Sequence, residues 1–210
     1  MALSREGALE AEITWRCRKN HTVELLPAVE RLFEQAGASK SDVSAVFACV
    51  GPGMYTGLRV GVSTAQALAY AMGARVLGVG RLELDAYGHA AYPGRIVAVH
   101  RAGRGELAWA AYRSGPWREE VSPRLDGPEE VVRRARGRTL FCGEVDVELA
   151  SAIEAKLGDR GVVAGAAASL RRAAALAELG HARLAAGQGE EAGSLSVVYL
   201  RPPAVGPRRA

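Results

Sequence analysis

Apolar positions change period several times along the chain, and each change marks an element. In ALSREGALEAEITW (residues 2–15) the pattern on either side of Glu6-Gly7 predicts two short strands joined by a turn. From Asn20, a good N-cap, through HTVELLPAVERLFEQA to Gly37, the residues Leu25, Leu26, Val29, Leu32, Phe33 and Ala36 keep helical spacing. Pro27 lies inside that stripe and predicts a kink or a late start of the regular helix. SAVFACV (44–50) is a continuous apolar run ending at Gly-Pro-Gly, the pattern of a strand buried on both faces. A helix over 56–72, a strand over 74–79, a helix over 81–91 and a strand over 95–100 are expected next.

The second half begins with RAGRG, which turns the chain into ELAWAAYR (106–113) as an antiparallel hairpin. PEEVVRRAR (128–136) opens as a helix, with proline at its first position and acids in its first turn. TLFCG (139–143) reads as a buried strand, DVELASAIEAKLG as a helix, VVAG as a short strand and 168–187 as an alanine-rich helix. The tail RPPAVGPRRA is expected to be disordered. Alternating strands and helices, with a hairpin opening each half, predict an α/β protein of two similar lobes. The N-terminal lobe is placed over 1–94, the C-terminal lobe over 95–200 and the tail over 201–210. No short-period repeat is visible.

Composition narrows the class. At 210 residues the chain can bury a sizeable core, and 49% hydrophobic against 24% charged residues suits a globular protein in water. No apolar run reaches the roughly eighteen residues of a membrane span, and the first residues lack a signal peptide's basic-then-apolar order. Cys17, Cys49 and Cys142 are few, odd in number and far apart, which argues against a disulfide framework or a zinc site and fits a reducing cytoplasm. Cys49 and Cys142 sit in apolar strand-like runs and read as buried thiols. The net charge of +4 lies wholly in residues 95–138, where ten arginines face six acids. A solvated basic face is the plainer reading of that excess, and an RNA-facing patch the alternative.

The segment VGPGMYTGLRVGVSTAQALAYAMG (50–73) carries the chemistry to be weighed. A strand, a glycine turn and a helix N-terminus make an anion-binding geometry, because free backbone N–H groups point outward there. Gly51 and Gly53 are therefore weak candidates for cofactor binding. No lysine is placed as in a Walker loop, and the spacing is not that of a dinucleotide fingerprint. On the helix itself Gly57, Gly61 and Ala65 recur every fourth residue beside Leu58 and Val62. A glycine inside a helix costs about 1 kcal/mol relative to alanine. Two of them imply close approach of another helix or backbone, within this chain or from another.

GPGMYTGLRVGVSTAQALAYAMGARVLGVGRLE resembles the signature of the TsaB family, the non-catalytic partners in bacterial tRNA threonylcarbamoyladenosine biosynthesis. NHTVELLPAVERLF resembles that family's first helix, GRGELAWAAYR its second-lobe hairpin and VVYLRPP its C-terminal ending. The resemblance implies an actin-like ATPase fold with two ribonuclease-H-like lobes, and work on transfer RNA that decodes codons beginning with adenosine. It implies TsaD as heterodimer partner, homodimers when TsaD is absent, and a visiting ATPase, TsaE. It also implies ATP and metal on TsaD, with no cofactor of this chain's own. The seam it assigns is Leu25, Leu26 and Val29 on the first helix and Gly57, Leu58, Gly61, Val62 and Ala65 on the next.

TsaD carries a His-x-x-x-His pair on the helix after a similar strand; aligning GVGRLELD on it puts Arg81 and Asp85 at those positions. A guanidinium is no metal ligand, so the resemblance implies a pseudo-enzyme. His21, His89, His100 and His181 show no ligand spacing, and Ser63 with the scattered acids makes no triad. The alternatives are an autonomous enzyme of the actin-like group, a peptidase or a sugar or acetate kinase, and an RNA-binding module on 95–138. The kinase reading lacks an early-strand carboxylate for magnesium, and the RNA reading lacks interleaved aromatics. One departure stands out. TsaB chains begin with a strand carrying an IDTS-like stretch, whereas Met1-Ala2-Leu3-Ser4-Arg5 already resembles their second strand. The first lobe is expected to lack its first strand and to show a gapped or re-paired sheet, and an upstream start is the favoured explanation.

Overall fold

The computed structural model describes residues 1–15 and 21–201, with the side chains of His21 and Thr22 left out. Cys17, the N-cap expected at Asn20 and the tail beyond Arg201 lie outside the described residues. Strands β1 (Ala2–Arg5) and β2 (Ala8–Glu12) form an antiparallel hairpin. Its turn residues Glu6 and Gly7 both have positive φ, 52° and 85°, which matches the twist of a two-residue hairpin. Helix α1 (His21–Ala36) continues past Pro27, whose nitrogen has no hydrogen to donate to the helix ladder. Strand β3 (Ala45–Cys49), helix α2 (Tyr55–Met72) and strand β4 (Arg75–Val79) make a crossover unit, with β3 and β4 paired in parallel.

Helix α3 (Arg81–Tyr87) is shorter than the 81–91 expected, because successive tight turns through His89 and Ala90 follow it. Strands β5 (Arg95–Gly103), β6 (Glu106–Arg113) and β7 (Arg118–Asp126) then form a meander. Helix α4 (Pro128–Arg133), strand β8 (Thr139–Gly143), helix α5 (Val147–Leu157) and strand β9 (Gly161–Val163) complete a five-stranded sheet in the order β7-β6-β5-β8-β9. β7 was not foreseen. It is an edge strand, REEVSPRLD, whose charges and proline guard an open edge rather than mark a core.

The long helix expected over 168–187 is also corrected. A 3₁₀ turn covers Ala166–Ser169 and helix α6 spans Ala173–Ala185. Between them Arg172 is extended (φ −93°, ψ 128°), and two ion pairs, Arg171 to Asp85 and Arg172 to Glu12, draw the chain out of helical geometry.

The two halves repeat one plan. β5-β6-β7-α4-β8-α5-β9-α6 in the second matches β1-β2-α1-β3-α2-β4-α3 in the first, with no counterpart of β5. The last helix of each half crosses over: α3 packs on β5, β6 and β8, and α6 packs on β1 to β4. The main core lies around the five-stranded sheet. Val97, Val99, Trp109 and Phe141 meet Val131, Leu149 and Ile153 on one face, while Ile96, Ala98, Ala110 and Cys142 meet Leu82 and Ala86 of α3 on the other.

The first half is built differently. β1-β2 and β3-β4 are separate two-stranded sheets, and a cavity of about 680 Å³ is lined by β1, β3, α1, α2 and α6. This is the gapped first lobe expected of a sheet without its first strand.

Candidate functional site

Two places merit chemical scrutiny: the cleft where the halves meet, and the outer sides of α1 and α2. In the cleft, the backbone N–H of Arg81 donates to the Gly51 carbonyl at 2.7 Å, which places the start of α3 beside the Gly-Pro-Gly loop. Arg81 and Asp85, one turn apart, pair at 3.6 Å (Nε to Oδ2). Arg81 also donates from Nη2 to Glu144 Oε1 at 2.5 Å and from Nη1 to His100 Nε2 at 3.2 Å.

A guanidinium only donates, so His100 Nε2 accepts and Nδ1 carries the proton it gives to Glu144 Oε2, 2.8 Å away. The Arg101 amide donates to the same oxygen at 3.0 Å. These bonds, the His100 one foremost, hold the Glu144 carboxyl well below its ordinary range, at about 2. Asp85 is further claimed by Arg171, whose Nε donates to Oδ1 at 2.7 Å.

Every carboxylate of the cleft network is therefore engaged by a cation. Among the described residues no group of three His, Cys, Asp or Glu is placed to hold a metal ion. Arg81 at the first position of the pair brings a fixed positive charge and no lone pair, so this donor set does not suit the metal of a TsaD-type centre. The network does tie the halves together, because Arg81 and Asp85 come from α3, Glu144 from the loop after β8, and Arg171 from the approach to α6.

The glycine loop is covered rather than open. Gly51 has φ +109°, and a Cβ there would lie 2.8 Å from the Val198 carbonyl and 3.0 Å from Leu58. The Val198 amide donates to the Val50 carbonyl at 2.8 Å, so the chain's own C-terminal segment lies against the loop. Gly51 thus serves a close backbone contact, and Gly53 packs beside Leu58. Neither presents an open cradle to a phosphate.

On the helices, the predicted seam residues divide. Leu26 is exposed; Leu25 and Val29 are half-buried and line the cavity together with Gly57, Leu58, Gly61 and Ala65, and a Cβ added at Gly57 or Gly61 would meet nothing within 4 Å. Leu58 is half-buried against the loop. Val62, 3% exposed, and Ala65, 7% exposed, belong to the interior of their own half. A four-residue step turns a helix by only about 40° beyond one full turn, so the small residues keep to one side: Gly57 half-buried, Gly61 exposed and Ala65 buried, all three along the cavity. The apolar side chains left outward are Val23 on α1 and Met54, Tyr55 and Tyr70 at and along α2, with Met54 76% and Tyr70 82% exposed. Tyr55 stacks on Tyr199 at 5.3 Å, and Arg59 lies 4.7 Å above its ring. Sequence reasoning passed over Met54 and Tyr70; the sign available was two large apolar side chains, one at the N-cap of α2 and one in its last turns, outside the buried set Val62, Ala65 and Ala69.

Several arginines of the basic 95–138 region are held in ion pairs, some of them sharing one carboxylate, so the region keeps its excess of positive charge. Arg101 pairs with Asp146, Arg113 with Glu120, Arg124 with Asp126, and Arg133 and Arg134 with Glu130. No helix among the described residues is long and apolar enough to cross a membrane.

The repeated sheet-and-helix halves, the crossed-over helices and the cleft between them define a two-lobed α/β protein of the actin-like ATPase fold. The family model of TsaD, tRNA N6-adenosine threonylcarbamoyltransferase, matches residues 15–140. YeaZ from Pseudomonas aeruginosa superposes with a TM-score of 0.73 at 27% identity, over 88% of each chain. Within that class the sequence is 31% identical over 191 residues to the tRNA threonylcarbamoyladenosine biosynthesis protein TsaB of Bacillus subtilis, covering 89% of this chain and 83% of that one. It is 33% identical over 139 residues to TsaB of Escherichia coli, covering 64% of this chain and 60% of the relative. The chain belongs to the TsaB family.

Proposed function

We propose that this protein is a non-catalytic subunit that pairs with TsaD in tRNA threonylcarbamoyladenosine biosynthesis, through the outer sides of α1 and α2. The observation that carries the reading is the Arg81–Asp85 pair, a guanidinium and a bound carboxylate where a catalytic centre would need metal ligands. The exposed Val23, Leu26, Met54 and Tyr70 supply apolar surface for a partner helix pair, and Gly61 leaves room for close approach. ATP and metal belong on TsaD in this reading, TsaE visits the assembled pair, transfer RNA is met through the complex, and the free subunit forms homodimers by the same face. The cytoplasm is where such a complex works.

The test is titration calorimetry with the cognate TsaD, using wild type, Gly61→Leu and Tyr70→Glu. Both variants should fold, because a side chain at Gly61 meets open space and Tyr70 already faces solvent. Each is expected to weaken binding by roughly tenfold or more, about 1.4 kcal/mol. Wild-type affinity in both would move the interface elsewhere. Stoichiometric zinc or iron by elemental analysis, or sustained ATP turnover by the isolated subunit, would favour an autonomous enzyme.

A further inference from the structure

At one end of the five-stranded sheet the register sets arginines side by side. Arg118, opening β7, lies opposite Arg113, closing β6, and Arg113 lies opposite Arg95, opening β5. Arg95 is in turn level with Thr139 of β8, and Thr139 with Gly161 of β9, so Arg138 and Arg160 stand just ahead of those two strands at the same end. The chain leaving α4 arrives there as well: Arg95 Nη1 donates to the Arg134 carbonyl at 3.0 Å. Neighbouring strands are about 4.8 Å apart, which makes the row from β7 to β9 about 19 Å long.

Carboxylates at this end are too few to match. Glu120 alone takes Arg95, Arg113 and Arg118, at 3.3, 2.5 and 3.8 Å, and Glu130 takes both Arg133 and Arg134, at 2.6 and 2.5 Å. Arg136, Arg138 and Arg160 are exposed, and none of the three pairs with a carboxylate among the described residues. Counting Glu119, Glu129 and Asp159 as well still leaves the cations in excess. Burial foremost, and then the neighbouring Arg136 and Arg113, lower the pKa of Arg95 against the pull of Glu120, as expected where like charges crowd. Exposed ion pairs are worth only about 0–1 kcal/mol, so arginines that share one carboxylate can turn to another anion at little cost.

We propose that this end of the sheet binds the phosphate backbone of RNA, as the subunit's own contact with transfer RNA; naming transfer RNA as the ligand rests on the function proposed above. Guanidinium groups offer planar, forked donors that match phosphate oxygens. Here Arg118, Arg136, Arg138 and Arg160 are spread across the ends of β7, β8 and β9 rather than gathered round one point, which suits the successive phosphates of a chain better than a single small anion. The surface belongs to the second half of the molecule, whereas the helices assigned to TsaD belong to the first.

The rings nearest the row, Tyr112 and Trp117, stack on each other at 5.4 Å, so they are not free to hold bases. Contact of this kind positions the RNA without reading its sequence. Its signature is salt dependence: each phosphate neutralised releases counterions and adds about 0.7 to 0.9 to the slope of log K against log salt. Four exposed arginines in contact would give a slope of about −3.

The test follows binding of an unmodified tRNA transcript to the full chain by fluorescence anisotropy, between about 50 and about 200 mM KCl. Replacing Arg136, Arg138 and Arg160 together by Gln should lower affinity at least roughly tenfold at the lowest salt and flatten the slope by about 2. These side chains are exposed and unpaired, so the fold should be unaffected. A variant of equal net charge, with Gln for Arg101, Arg104 and Arg124 at the opposite end of the sheet, should bind like wild type. Wild type without salt-dependent binding overturns the proposal, and so does an equal loss in both triple variants. Polyglutamate that displaces the transcript at matched charge would make this a surface for an acidic protein and overturn the RNA assignment. Calorimetry with TsaD is run beside these titrations. Wild type that binds the transcript as expected but not TsaD would overturn the pairing and leave the RNA surface standing.

Discussion

Glu144 sits where three donors converge, and its carboxylate is the residue through which the cleft senses pH. His100, the Arg101 amide and Arg81 all bind its ionised form. Its pKa falls from an ordinary 4.5 to about 2. A depressed carboxylate contributes stability above its unfolded-state pKa. That contribution is lost as pH falls through the folded value, because the unfolded chain takes up the proton first. The Tm of wild type should therefore exceed that of Glu144→Gln at pH 7, and the gap should close between about pH 4.5 and pH 2. A gap constant across that window, measured by thermal melts in matched buffers, would show that the carboxylate's charge is not what holds the cleft. Arg81 and Asp85 were legible in the sequence, because positions one helical turn apart share a face wherever the helix sits. Glu144 and Arg171 were not. They come from the end of β8 and the approach to α6, and only the tertiary arrangement brings them to α3.

At the scale of elements, the end of β8 sets where Glu144 stands. Gly143 has φ +87°, and a Cβ on it would lie 2.3 Å from the Val99 carbonyl, which also accepts the Glu144 amide at 2.8 Å. All three of the nearest atoms are Val99 backbone, which leaves nothing that can swing aside. Gly143→Ala should cost about 3 kcal/mol, from a strained φ and a clash together. Urea unfolding gives the figure, and a loss under about 0.5 kcal/mol, the size of an ordinary surface change, would mean the turn can relax. Strands and helices that bury one consistent pattern were readable, among them β3, β5, β6, β8, α2 and α5. What escaped were elements whose limits depend on partners. β7 hides behind the charges of an edge strand, α6 begins late because Arg171 and Arg172 are pulled to carboxylates, and α3 ends early in turns. The small-residue stripe of α2 was visible, but that Gly57, Gly61 and Ala65 look onto a cavity inside this half depends on the spacing of the elements around them and could not be read from the helix alone.

At the scale of the whole molecule the two halves follow one plan but are unequal in cohesion. The second has a continuous five-stranded sheet with helices on both faces; the first has two ribbons around a cavity, bridged by α6. Ion pairs of the cleft, together with Arg183 to Glu83, join the halves without filling that cavity. Stability that is uneven in this way predicts sub-global opening, in which the first half loosens while the second stays folded. Two free thiols report on it separately. Cys49 is half-buried at the cavity wall, whereas Cys142 is sealed in the second core, and burial raises the pKa of both. In the Cys17→Ser protein, Cys49 should react with a thiol reagent at least roughly tenfold faster than Cys142. Its rate should also rise less steeply with urea, because opening one half exposes less surface than unfolding the whole. The urea slope separates opening from thiol reactivity, since a raised pKa slows a thiol at every urea concentration alike. Equal slopes for the two cysteines would mean that the cleft couples the halves into a single cooperative unit, despite the gap in the first sheet.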